Sequence, residues 1–143
     1  MRALLMNSVA AGVLSSASVA GLRRALQPIP GLTLLVVFGS RARGEASADS
    51  DWDLGFLGEA ELDHGLLMEV VTRAVGTDRV DLVDLSRATA LLRFRAARDG
   101  VPVFEHAPGR FIDYQEDATL AWCDLEPVLR RAYGGVLEDL VAK

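Results

Sequence analysis

Apolar positions change period several times along the chain, and each change marks an element. Val19, Leu22 and Leu26 recur at helical spacing behind Ser18, a residue suited to cap a helix, and Gln27-Pro28 ends that run. After the turn Pro28-Ile29-Pro30-Gly31, the segment Leu32 to Phe38 (LTLLVVF) is a continuous β-rich apolar run bounded by glycines, which predicts a buried central strand. Asp51 to Leu57 (DWDLGFL) alternates polar with apolar and predicts a second strand. Leu62, Leu66, Val70 and Ala74 predict a helix over 61–75, closed by Gly76. Arg79 to Leu85 reads as a third strand, Thr89 to Arg98 as a helix, and Val101 to Phe104 as a short edge strand containing Pro102. From Phe111 to Leu140 the pattern is helical again, punctuated by Pro127 and by Gly134-Gly135.

This order predicts an α/β (α+β) fold: a small mixed sheet of about four strands flanked by helices. No repeat, low-complexity tract or linker divides the chain. Residues 1–17 are expected to be an N-terminal extension, 18–106 the core, and 107–143 a helical tail that packs on the core or on a partner. Phe111, Tyr114 and Trp122 are expected to form a packing stripe on that tail.

Composition narrows the chemistry. A chain of 143 residues suits one domain, and 50% hydrophobic with 24% charged residues argues against disorder. Twenty acidic against fifteen basic residues, a net charge of −5, argue against nucleic acid as the main ligand. The single cysteine, Cys123, excludes a disulfide framework and a Cys-rich zinc site, and is expected to be a buried small hydrophobe. His64 and His106 stand apart without ligand spacing and are expected at the surface. The start, MRALLMNSVAAGVLSSASVA, has the outline of a signal peptide ending at Ser18-Val19-Ala20, but five polar residues interrupt its apolar stretch. It is also too short and polar to span a bilayer. The expectation is a cytoplasmic domain with no membrane association.

The informative stretch is Gly39 to Asp53, GSRARGEASADSDWD. Gly39 allows a tight turn and a close approach after the strand, and Ser40 sits where a helix can begin, so that backbone N–H groups point outward to an anion. Asp51 and Asp53, two apart on a strand, project from one face with Cα atoms roughly 6.5–7 Å apart. Paired acids repel unless a cation lies between them, and Mg²⁺ favours one or two carboxylates with substrate phosphates. Asp81, set among Val80, Leu82 and Val83, is a third acid where a solvated one is out of place; Asp84 points the other way. Such a triad could hold two metals and take a proton from an attacking hydroxyl. Arg41 and Arg43 lie in reach of the same region, and guanidinium groups suit phosphate oxygens. Trp52, between the acids, is expected to pack into the core.

Taken together, these features resemble the nucleotidyltransferase superfamily of the DNA polymerase β type. More closely, Gly39-Ser40-Arg41-Ala42-Arg43-Gly44 with Ser50-Asp51-Trp52-Asp53-Leu54 looks like the minimal nucleotidyltransferase family. The resemblance extends through the Arg79–Leu85 strand and the segment Leu91 to Gly100, covering roughly residues 18–106. It implies a nucleotidyltransferase fold in which Gly39 and Ser40 hold the nucleoside triphosphate, Asp51 and Asp53 bind Mg²⁺, and Asp81 is the third carboxylate. Members of that family are often antitoxins encoded beside a helical HEPN ribonuclease toxin. It therefore implies transfer of AMP from ATP to a hydroxyl, a tyrosine by resemblance, of a HEPN toxin bound as a hetero-oligomer. Two alternatives stay open: a small-molecule enzyme of the aminoglycoside type, and an antitoxin that acts by binding alone. Few residues follow His106, so the wall that would enclose a small acceptor is expected to come from a helical partner.

Overall fold

A computed structural model describes residues 16–47 and 49–142. Helix α1 (Ser16–Leu26) leads into β1 (Leu32–Phe38), the one-turn α2 (Gly39–Ala42) and β2 (Trp52–Gly58). Then follow α3 (His64–Val75), β3 (Val80–Asp84), α4 (Ala90–Asp99), β4 (Val101–Glu105), α5 (Arg110–Tyr133) and α6 (Gly135–Ala142). The export outline and the 1–17 extension fall almost wholly outside the described residues. Among those described, no helix is long and apolar enough to cross a membrane.

The four strands form one mixed sheet in the order β3-β2-β1-β4. β1 runs antiparallel to both β2 and β4, whereas β2 and β3 are parallel, joined over α3 as a parallel pair requires. The apolar run of β1 is explained by its central place: five consecutive residues, Leu34 to Phe38, are buried against helices on both faces. Leu35, Val37, Leu54 and Phe56 pack with Leu22 and Leu26 of α1 and with Leu67 and Val71 of α3. Leu34, Val36 and Phe38 pack on the other face with Ala96 and Ala97 of α4 and with Phe111, Tyr114 and Ala118 of α5. Pro102 sits on β4, an edge strand, beside an irregularity in the β1–β4 register, where its missing N–H does no harm.

Several sequence expectations are corrected. Ser18 lies inside α1 instead of capping it. α3 starts at His64, where the Asp63 side chain accepts from Leu66 N, and Gly76 ends it with φ 77°. Its core stripe is Leu67 and Val71, one position on from the expected Leu66; Leu66 and Ala74 are exposed. Cys123 is exposed, because the α5 stripe through Phe111, Tyr114, Ala118 and Trp122 leaves the next position rotated about 100° away from the core. The packing stripe itself is present, with Trp122 stacked on Phe94 at 5.6 Å and Tyr114 Oη donating to the Arg93 carbonyl at 2.7 Å. Burial pushes the Tyr114 phenol up to about 12.

Candidate active site

Where β1 ends, the chain turns back through Gly39 with φ +69°, a left-handed conformation that strongly favours glycine. A side chain at this position would also collide with the Asp53 carboxylate oxygen Oδ2. The bare backbone of Gly39 therefore lets the first turn of α2 close directly over Asp53. Asp53 in turn pairs in register with Asp81 across the parallel β2–β3 ladder, on neighbouring strands about 4.8 Å apart. A cleft of about 350 Å³ opens at this end of the sheet, lined by Gly39, Ser40, Arg43, Asp53, Asp81 and Arg95 among others.

Strand alternation sorts the remaining residues. Asp53, Asp81 and Val83 face the α4 side, where the cleft lies, while Trp52 projects to the opposite face and packs with the α1–α3 core. Asp51, exposed just ahead of β2, does not line the cleft, yet its charge acts on Asp53. Asp81 is exposed, which corrects the expectation of an acid enclosed by apolar neighbours: β3 is an edge strand and its acid opens to solvent.

The electrostatics follow from the crowding. Burial raises the Asp53 carboxyl above its ordinary value; the nearby charges of Asp81 and Asp51 add to this, and Arg43 opposes it. Arg43 donates from Nε to Glu45 at 3.1 Å and lies 3.7 Å from Asp99. Asp99 receives Arg98 on both oxygens at 2.9 Å, and these bonds hold its carboxyl below the usual range. Among the described residues no three acidic, histidine or cysteine side chains converge into a closed metal cage. The hard oxygens of an Asp pair nevertheless fit Mg²⁺, which completes its shell with water and phosphate oxygens.

The two arginines of the GSRARG stretch part company. Arg43 lines the cleft; the Arg41 side chain turns to the far face, where it is 8% exposed. There its guanidinium lies 4.3 Å over the Trp52 ring, and Nη2 donates to the Ser50 carbonyl at 2.7 Å. It ties α2 to the residues that lead into β2. The structure thus brings Gly39, Ser40, Arg43, Asp53 and Asp81 together, sets Asp51 beside them, and places Arg41 behind them. His64, edge-on to Phe56 at 4.9 Å, and His106 are exposed and take no part. Leu92, Arg95 and Asp99 were not singled out from sequence, although their spacing of three and four on α4 marks one helix face that carries two charges beside a core leucine.

Comparison with known proteins agrees with this geometry. Residues 22–108 match the Polymerase beta nucleotidyltransferase family. The chain is 30% identical over 119 residues to the protein adenylyltransferase MntA of Aphanizomenon flos-aquae, covering 73% of this chain and 78% of the relative. A crystal structure of a toxin–antitoxin with AMP-PNP contains a chain of TM-score 0.66 and 25% identity, matched over 85% of this chain and 97% of that one. A tri-AMPylated Shewanella oneidensis HEPN toxin in complex with MNT antitoxin gives TM-score 0.61 at 23% identity, over 87% and 96% of the two chains, a likeness of fold. The mixed four-strand sheet with its flanking helices is thus the nucleotidyltransferase fold. Because the family match runs through all four strands and the adenylyltransferase relative covers most of both chains, the protein belongs to the Polymerase beta nucleotidyltransferase family.

Proposed function

We propose that this protein is an adenylyltransferase antitoxin: in the cytoplasm it transfers AMP from ATP to a tyrosine hydroxyl of a cognate HEPN ribonuclease toxin and so neutralises it. The observation that carries the reading is Asp53 abreast of Asp81 beneath the Gly39–Ser40 turn, in a chain whose 30%-identical relative is a protein adenylyltransferase. The likeness to a toxin–antitoxin chain with AMP-PNP supports the nucleotide and the partner.

In this reading residues 18–106 form the transferring core. Gly39 and Ser40 present backbone and hydroxyl to the triphosphate, with Arg43 beside them. Asp51, Asp53 and Asp81 would hold Mg²⁺, two ions in all; when bound, these stabilise the charge that builds on the phosphate oxygens. Asp81, the most open of the cleft acids, takes the proton of the acceptor hydroxyl as that oxygen bonds to the α-phosphorus. The bond from the α-phosphorus to pyrophosphate breaks, and pyrophosphate leaves with its electron pair. Arg41 contributes from the opposite face, by fixing Ser50 and hence the approach to Asp51 and Asp53.

The tail, residues 107–143, supports a hetero-oligomer. Ile112 (67%), Leu120 (57%), Val128 (51%) and Val136 (63%) stay exposed along α5 and α6, apolar surface of the kind that marks contact with another protein. The test is intact-mass measurement on the HEPN partner after incubation with ATP, Mg²⁺ and either wild type or Asp53→Asn. Added AMP units with wild type and none with Asp53→Asn are expected. Full neutralisation by both proteins without added mass would establish binding alone, and AMP on an aminoglycoside would establish the small-molecule enzyme.

A further inference from the structure

The cleft holds a second cation, and its charge is uncommitted. Arg43 is engaged by Glu45 and Asp99, and Arg98 by Asp99. Arg95, on the α4 wall, forms no ion pair with any carboxylate among the described residues. Its Nη2 donates to the Leu140 carbonyl, and the neighbouring Arg98 donates to the Val141 carbonyl at 3.0 Å. Both thus lean on the C-terminal end of α6, where the helix dipole favours positive charge. That tether orients the guanidinium without neutralising it. The Arg95 Nε–H, like those of Arg41 and Arg93, is shielded from solvent and has no acceptor.

We propose that Arg95 binds the β- and γ-phosphates of the nucleotide, an assignment that rests on the reading of the cleft as a nucleotide site. The acids Asp53 and Asp81 belong with the α-phosphate, where transfer occurs, and on the α4 wall Arg95 joins Arg43 in facing the remaining phosphates. A planar guanidinium suits two phosphate oxygens at once. As the bond to the α-phosphorus breaks, negative charge grows on the leaving pyrophosphate, and Arg95 offsets it at that place. In a chain of net charge −5 with two acids in the cleft, Arg95 adds its positive charge to that of Arg43 in holding the phosphate tail.

Calorimetric titration with Mg²⁺ and a non-hydrolysable ATP analogue, and separately with AMP, tests the assignment without the toxin. Arg95→Gln is expected to weaken the analogue tenfold or more while AMP binding changes less than twofold. Arg95→Lys is expected to fall between wild type and Arg95→Gln. Arg73→Gln, which removes an equal charge from the exposed face of α3, is expected to match wild type. Unchanged analogue affinity in Arg95→Gln overturns the proposal. Equal losses for analogue and AMP with a lowered melting temperature overturn it as well, in favour of a structural role. Wild type binding neither nucleotide overturns the cleft reading beneath it, an outcome distinct from failure to modify the toxin.

Discussion

Asp53 and Asp81 are register partners on adjacent parallel strands, so the fold itself presses two carboxylates together. Burial first, and the charges of Asp81 and Asp51 after it, raise the folded-state Asp53 carboxyl above 3.8, its ordinary value. A raised carboxyl releases its proton less readily folded than unfolded, so its contribution to stability is intact below pH 3.8 and is lost as pH climbs through the higher folded value. Without divalent cations, Asp53→Asn is expected to melt above wild type at pH 7, by on the order of 3 °C. Near pH 3 the two are expected to coincide. Calorimetric melts in chelator at both pH values check this, and a less stable Asp53→Asn at pH 7 would sink it.

Gly39→Ala strikes both features of its position. A left-handed backbone costs an L-residue about 1–2 kcal/mol, and the new methyl group meets the Asp53 carboxylate. Urea denaturation is expected to show a loss of that size, and AMP transfer to fall below detection even where the variant is fully folded. Retained transfer would show that the turn does not govern Asp53.

Arg41 and Arg43, two residues apart, are expected to fail differently. Arg41→Met removes a buried hydrogen bond and a stacked cation, together about 2 kcal/mol, with a matching drop in urea midpoint. Arg43→Gln is expected to leave the unfolding free energy within about 0.5 kcal/mol of wild type, because its ion pairs are partly exposed, and to weaken nucleotide binding in titration. The reverse pattern would exchange their roles.

Asp81→Asn is expected to abolish transfer while still binding nucleotide, since a base acts on the acceptor. Asp84→Asn is the control. Its carboxylate accepts from Ser86 N at 3.0 Å and Ser86 Oγ at 2.6 Å, fixing the turn after β3 at the strand's other end. Transfer in Asp81→Asn but not in Asp84→Asn, measured by intact mass, would move the base to Asp84.

What could be read from the chain followed from how local each signal was. Leu32–Phe38 was legible to the residue because a strand buried on both faces is apolar at nearly every position, Thr33 excepted. The Gly39-Ser40 and Asp51-x-Asp53 elements were legible as chemistry, since turn and alternation fix them within a few residues. The direction of Arg41 was not: whether a side chain after a strand bends over one face or the other depends on Trp52, eleven positions away and across the sheet. Arg95 and Asp99 were missed because nothing in α4 alone shows that its charged face meets the end of β2. Cys123 and the α3 stripe failed by a single position, an error of about 100° that periodic patterns tolerate poorly.

The parallel β2–β3 pair has a bearing on how the molecule assembles. β1 and β2 meet antiparallel through a short excursion of chain, whereas β3 joins β2 only after α3 has crossed the sheet and packed. In the unfolded chain Asp53 and Asp81 are remote and do not repel; the repulsion arises at the moment the crossover docks. The docking of β3 is thus a non-local step that charge opposes. A chain folded only as far as β1–β2 carries the GSRARG turn without its site, and removal of either charge, as in Asp81→Asn, is expected to quicken refolding as followed by tryptophan fluorescence.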